Sequence, residues 1–409
     1  MDLRLKLGVE GYSPALLRKI VSQGGRYAFG EAAHNLTELV DLEISGQHVM
    51  RLTERLGTEW AERRDQELEQ FKQGQLPRAC TPIAPAATVM LDGGRLQTRE
   101  EPSGPGVTRP EWHEPKYACF QTLNTKRSNS DPEPEPPSKF LDPKGVPKLV
   151  RQIQSVHGRV TVRENEKKPA PRPAQEQKRG KRISRFLLRT VIATMLGVTE
   201  FGYQVAAEVH KRGLDLAAVK GCICDGQNSN WTVHKKHLEE LGFIPILDFL
   251  HLLTYLYAAA QALGGTEKER WQRYVKWMTW AWQGQRDKLL LALSGAVEKL
   301  GIPPENAPEM DPRCVVAKTQ TYVVNNSDKM DYPRYRKLGL PISSAPVEST
   351  IKQFNKRVKG TEKFWRTSKA EAVLQVRAAQ LSGDGREDRL WSMPRLNYRA
   401  ARHHPLAAA

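Results

Sequence analysis

The chain has 409 residues and a mass of 46.2 kDa, room for about two to three domains. Hydrophobic residues at 39% and charged residues at 27% exclude wholesale disorder. A formal charge of +17 and a pI near 9.6 suit a polyanionic partner better than an ordinary metabolic enzyme. The start, Met1-Asp2-Leu3-Arg4, lacks the apolar run of a signal peptide. The longest apolar stretch, 243–263, is broken by Pro245, Asp248 and His251, so no membrane residence is expected. Cys80, Cys119, Cys222, Cys224 and Cys314 are odd in number and hold no C-x-x-C pair, which points to a reducing, cytoplasmic setting without a structural zinc.

Residues 1–80 read as an all-α segment. Ser13 caps a helix that starts at Pro14, with Leu16, Leu17, Ile20 and Val21 as its apolar stripe. A second helix spans about 29–40. Ser45 caps a third that reaches Leu56, with Ile44 and Val49 spaced as a hydrophobic staple. Two helices joined by a tight turn, the later one carrying Gln47, His48, Arg51 and Arg55, match a helix-turn-helix as well as a plain bundle. The basic charge of the chain favours DNA binding by Gln47, His48 and Arg51.

From Ala86 the period becomes that of strands: 88–91, a hairpin partner over 94–99, and 116–123. Residues 126–184 form a Pro-rich insertion, expected to be flexible, in which 148–156 has the pattern of a short helix. It holds nine of the 27 prolines within 128–182 and ends in the basic run Lys178-Arg179-Gly180-Lys181-Arg182. Over 185–265 a helix (199–211), strand (219–224), helix (229–241), strand (243–247) and helix (249–263) alternate, which indicates an α/β sheet with crossovers. Residues 266–334 are a helical insertion whose Trp271, Trp277, Trp280 and Trp282 read as core. Helices at 345–359 and 368–381 follow within 335–382, and 383–409 is a polar tail.

Three carboxylates stand at element ends. Asp92 follows the apolar run 89–91, Asp225 follows 222–224, and Glu348 lies in the first turn of a helix. Both aspartates precede a glycine, which permits a sharp turn and close approach of a ligand to the backbone. Acids at adjacent strand ends with a third from a helix across the sheet are what two hard divalent cations, Mg²⁺ or Mn²⁺, require for phosphoryl transfer. Taken singly, Asp92-Gly93 is also a hairpin signal, Asp225 a helix cap, and Glu348 with Lys352 a surface ion pair. The helix after Glu348 places Lys352, Asn355 and Lys359 on one face, and 351–366 carries six basic residues against one acidic, a surface suited to a phosphate backbone.

The segments Cys224-Asp225-Gly226-Gln227, Leu247-Asp248-Phe249 with His251, and Gly339-Leu340-Pro341-Ile342-Ser343-Ser344-Ala345-Pro346-Val347-Glu348-Ser349 resemble bacterial insertion-sequence transposases of the DDE type, nearest to the Kra-type family. The continuation Lys352-Gln353 through Arg357-Val358-Lys359-Gly360-Thr361-Glu362-Lys363-Phe364-Trp365 is similar to that family too. The resemblance implies an RNase H-like catalytic domain over 86–366 with a helical insertion before the glutamate. It places the catalytic and metal-binding acids at Asp92, Asp225 and Glu348, with two bound Mg²⁺ or Mn²⁺ ions. Asp248 and His251 are candidates to brace them, or alternatively a helix-start acid and a core histidine. The expected activity is cleavage of element ends and joining of the 3′-OH to target DNA, by a protein that oligomerises on double-stranded DNA. A metal-dependent nuclease without strand transfer would share the same site, and a non-enzymatic DNA-binding regulator would be built on the N-terminal helices with the carboxylates structural.

Overall fold

A computed structural model of the chain describes residues 11–79, 83–99, 111–156, 184–360 and 363–394. The chain is α/β, built on a mixed five-stranded sheet with helices on both faces. Strand β1 (Ala86–Gly93) is central. It pairs antiparallel with β4 (Lys116–Thr125), which pairs antiparallel with the edge strand β5 (Ser184–Thr194). On its other side β1 pairs parallel with β6 (Val219–Cys224), and β6 with β7 (Ile244–Leu247). The alternation of side chains across a strand divides β1: Ala86 and Met90 enter one core, while Ala87, Val89 and Leu91 enter the other.

The second of these cores is covered by α5 (Val198–Lys211) and α6 (Asn228–His237), through Phe201, Val205, Val209 and Val233. The first is covered by α7 (Phe249–Ala262) and α12 (Ala345–Val358). Helices α8 (Glu267–Trp282), α9 (Arg286–Leu300) and α10 (Pro312–Asn326) extend that core, and Trp277 and Trp282 are buried in it, as their pattern suggested. No helix among the described residues is long and apolar enough to cross a membrane.

Several expectations are corrected. The stretch 94–99 is not the partner of β1. Strand β2 (Leu96–Thr98) instead pairs with β3 (Glu111–His113) in a separate two-stranded ribbon, because β1 continues through Asp92 to Gly93 and its partner is β4. Asp92-Gly93 is therefore strand, not a hairpin turn. The Pro-rich insertion is ordered where it is described, over 126–156. Phe140, Val146, Val150 and Ile153 are buried, the last three on α4 (Gly145–Val156), and Arg336 Nε donates to Asp131 Oδ1 at 2.8 Å. The basic run 178–182, Cys80 and the pair Thr361-Glu362 lie outside the described residues.

At the N-terminus α1 (Pro14–Arg26) and α2 (Phe29–Val40) are as expected, and Ser13 and Ser45 cap as expected. Helix α3, however, runs from Gly46 to Lys72, past Leu56. Gly57 does not break it: a Cβ there would lie 2.0 Å from the carbonyl oxygen of Ala372, so the glycine exists for the close crossing of α13 (Thr367–Leu381). The three helices do not enclose a core of their own, since Val376 and Ala379 of α13 complete it. Arg357 of α12 is a further bolt. It is buried, donates from Nε to Gly24 O at 2.8 Å, and lies over the Phe29 and Trp365 rings.

Candidate metal centre

The register sets the site. Leu91 pairs with Cys224 across β1 and β6, and Cys224 with Leu247 across β6 and β7. The next residues along, Asp92, Asp225 and Asp248, therefore stand at the C-terminal ends of three neighbouring parallel strands, about 4.8 Å from strand to strand. By strand alternation Asp92 follows Met90, and Asp225 follows Ile223, toward the core face that α12 covers. Val347, Ile351, Phe354 and Val358 seat α12 on that face and bring Glu348 to it.

Asp92, Asp225 and His251 line one cavity of about 380 Å³, together with Arg95, Glu114 and Tyr322. Asp92 is almost fully buried, and its Oδ1 accepts from Gly93 N at 2.7 Å. Burial and then the charges of Asp225 and Glu348 push its carboxyl well above the ordinary carboxylate range, against the opposing pull of His251. Asp225 is partly exposed. Its Oδ1 accepts from Gln227 N at 3.0 Å and from Asn230 Nδ2 at 3.1 Å, and its carbonyl accepts from Tyr322 Oη at 2.7 Å. The expected role of Asp225 as a helix cap is only partly realised, because α6 starts after Gln227 and the Asp225 carboxylate holds the turn before it. Gly226 must be glycine. Its φ is +95°, and a Cβ would meet the Tyr322 ring at 2.5 Å, so a tyrosine rather than a ligand occupies the approach that the glycine leaves.

Behind the cavity wall is a buried group. Asp248 caps α7, its Oδ1 accepting from Leu250 N at 2.9 Å. Its Oδ2 accepts from His251 Nδ1 at 2.6 Å and from Ser344 Oγ at 2.5 Å. Glu348 Oε1 lies 3.7 Å from His251 Nδ1 and 3.5 Å from Ser344 Oγ. Burial pulls the imidazole pKa down, but the Asp248 hydrogen bond, with the charges of Asp248, Asp225 and Asp92, outweighs it and raises the pKa to about 10. Burial and the neighbouring Asp248 raise Glu348. Asp248, His251 and Glu348 each offer a ligand atom within 4.8 Å of one another, so this buried group could hold a metal ion.

The expected acids thus fall into two linked sets. Asp92 and Asp225 face the cavity; Glu348 is buried with Asp248 and joins them through His251, which touches both sets. Asp248 is a helix cap and a brace at once, and His251 forms part of the cavity wall. Of the residues on α12 expected to meet DNA, Lys352 is exposed and its charge lowers the Glu348 pKa, while Asn355 is half-buried. The Lys359 pKa is lowered by burial and by the charge of Arg95. Gln47 and Arg51 are exposed on α3, and His48 is half-buried, edge-on to Tyr12 and 3.3 Å from the Arg51 guanidinium.

Sequence reasoning passed over Ser344, Tyr322 and Glu114. Ser344 sits at the N-cap position of α12, where a serine normally bonds its own helix; nothing local reveals that its hydroxyl turns to Asp248 instead. Compared with models of known families and with curated proteins, the chain matches none.

Proposed function

We propose that the chain is a DNA transposase of the DDE type, with an RNase H-like catalytic core and element-end recognition by its N-terminal helices. The observation that carries the reading is the meeting of Asp92 and Asp225 at adjacent parallel strand ends with Glu348, delivered by a helix packed on the same face. Asp92, whose carboxyl is raised by burial and by the charges of Asp225 and Glu348, belongs to a donor set of hard oxygens, which fits Mg²⁺ or Mn²⁺. Two such ions, held by Asp92, Asp225 and Glu348, would supply a nucleophilic oxygen and neutralise the leaving one.

The protein's own groups do the positioning. Gln227 N and Asn230 fix the Asp225 carboxylate, and Ser344 and His251 fix Asp248 beside Glu348. Arg95, Lys352 and Lys359 draw double-stranded DNA to the mouth; Gln47, His48 and Arg51 lie on the helix expected to read the ends. Oligomerisation on DNA, to hold two ends together, belongs to the same proposal. The Asp248–His251–Glu348 group favours a second placement of metal. With a nitrogen donor it suits a softer ion than Mg²⁺, and it shares Glu348 with the first placement.

The test is a gel-shift titration and a cleavage assay on one element-end duplex in Mg²⁺. Asp225→Ala should abolish cleavage and leave binding intact, since removing an acid beside a polyanion lowers repulsion. Lys352→Ala and Lys359→Ala should weaken binding and each flatten its salt dependence by about 0.9 in log–log slope. Cleavage by Asp225→Ala would sink the metal mechanism; cleavage without joined products would leave a nuclease.

A further inference from the structure

The ribbon of β2 and β3 stands at the lip of the metal cavity: Arg95, the residue before β2, lines that cavity together with Asp92 and Asp225. The ribbon has an anchored side and an open one. Leu96 is buried in the first core, and Thr98 is buried where the strand bridges to Trp365. Trp365 N donates to Gln97 O at 3.3 Å and Arg99 N to Trp365 O at 2.8 Å, which ties the ribbon to the chain that follows α12. Side chains alternate across a strand, so Gln97 lies on the opposite side, with Trp112 directly across from it in the register. Trp112 is 52% exposed, and the Arg95 guanidinium carbon stands 5.0 Å from its ring centre. Arg99 repeats the pattern, 4.4 Å from the centre of the Phe364 ring.

These two arginines differ from those that serve the fold. Arg64, Arg78, Arg313, Arg336 and Arg386 each pair with a carboxylate. Among the described residues no carboxylate pairs with Arg95 or Arg99, and both are exposed. The acid of the same lip, Glu114, is engaged by Lys116 Nζ and Gln227 Nε2, each at 3.1 Å, and Glu111 alternates to the side away from Trp112. The charge of Arg95 reaches Lys359 as well, so three cations share the lip. Guanidinium groups donate to phosphates, and exposed rings stack on base faces. A duplex would use only the cations, because its base faces are covered within the stack; an unpaired strand offers phosphates and base faces together. We infer that the open side of the ribbon is a binding strip for an unpaired DNA strand, with a base stacked on Trp112 and phosphates at Arg95 and Arg99, leading that strand into the cavity of Asp92 and Asp225. The inference rests on the reading of that cavity as a phosphoryl-transfer site for DNA, and it adds the form in which the DNA arrives.

The experiment is a fluorescence-anisotropy titration of the full chain, in EDTA so that nothing is cleaved, against a blunt duplex and the same duplex carrying a single-stranded oligo-dT extension. The wild type should bind the extended duplex about fivefold or more tightly than the blunt one. Trp112→Ala should abolish that preference, since loss of a stacking ring weakens binding of a single strand by about tenfold. Trp112→Phe, which keeps a ring, should retain most of it. Arg99→Ala should weaken binding of the extended duplex and flatten its salt dependence by about 0.7 in log–log slope, the value for one phosphate of a single strand. The Phe and Arg99 variants keep the test decisive even if Trp112→Ala lowers the Tm of the free protein. Equal binding of the two duplexes by the wild type, or a preference that survives in Trp112→Ala, would overturn the inference and leave the phosphoryl-transfer reading standing. Failure to bind either duplex would overturn both.

Discussion

Two clusters of buried charge are built on this one sheet, and they are balanced in opposite ways. At the β5 edge, Arg386 donates from its NH2 group to Glu208 at 2.5 Å and to Asp384 at 2.8 Å, and Thr190 Oγ1 donates to Asp384 at 2.9 Å. Burial pushes Asp384 up, but Arg386, by charge and by hydrogen bond, outweighs it and holds the carboxyl at about 2. At the ends of β1, β6 and β7, four acids gather around His251, and burial and mutual repulsion hold Asp92 and Glu348 above their ordinary values. The first cluster is closed on itself. The second is crowded with like charge, and such crowding in a cavity marks a place that accepts a cation.

The contrast can be broken from either side. The largest effect is expected for Arg386→Ala, which strands two buried acids and should lower the unfolding free energy by about 3–5 kcal/mol in urea titrations. A loss below about 1 kcal/mol would mean the cluster is wet and its charges are screened. Next comes pH. The folded pKa of Asp384, about 2, lies below the ordinary 3.8, so its stabilisation is complete above pH 3.8 and vanishes as pH falls through 2. The difference is worth about 2 kcal/mol, and an Asp384→Asn variant should lose that part of the acid dependence. The smallest effect has the opposite sign. In a chelating buffer Asp92→Asn should raise Tm, because it removes a charge that burial and its neighbours already disfavour, by less than Asp384 contributes. Should Asp92→Asn lower Tm instead, the negative charge of that cluster is compensated within the protein, and the distinction between the two clusters collapses.

Much of this was legible along the chain. Caps at Ser13 and Ser45, the β-rich runs at 88–91 and 219–224, and the apolar stripe of α12 are local patterns that local physics honours. Asp92 and Asp225 could be picked out because each ends such a run. What escaped was settled by partners distant in sequence. The third helix reads as reaching Leu56 but runs on through Gly57, where Ala372 crosses it, and 94–99 looks like a hairpin arm until 111–113 takes it. The strand β5, Ser184–Thr194, is not read from the sequence, because its β-branched residues follow directly on the Pro-rich, charged stretch and no turn signal marks its start. The bond from Ser344 to Asp248 spans 96 positions and leaves no mark on either neighbourhood.

The sharing of α13 by the N-terminal helices has a consequence for the order of events during synthesis. Helices α1 to α3 leave the ribosome before α13, and the surface that completes their core, Val376 and Ala379, is translated roughly 300 residues after Lys72. At about 5–20 residues per second, the apolar face of α3 waits on the order of 15–60 s for its cover. During that interval Leu52, Leu56 and Trp60 are open to chaperones or to a second nascent chain, and residue-by-residue growth cannot finish the domain that it begins. A segment made well before its cover is thus sealed only after that cover is made.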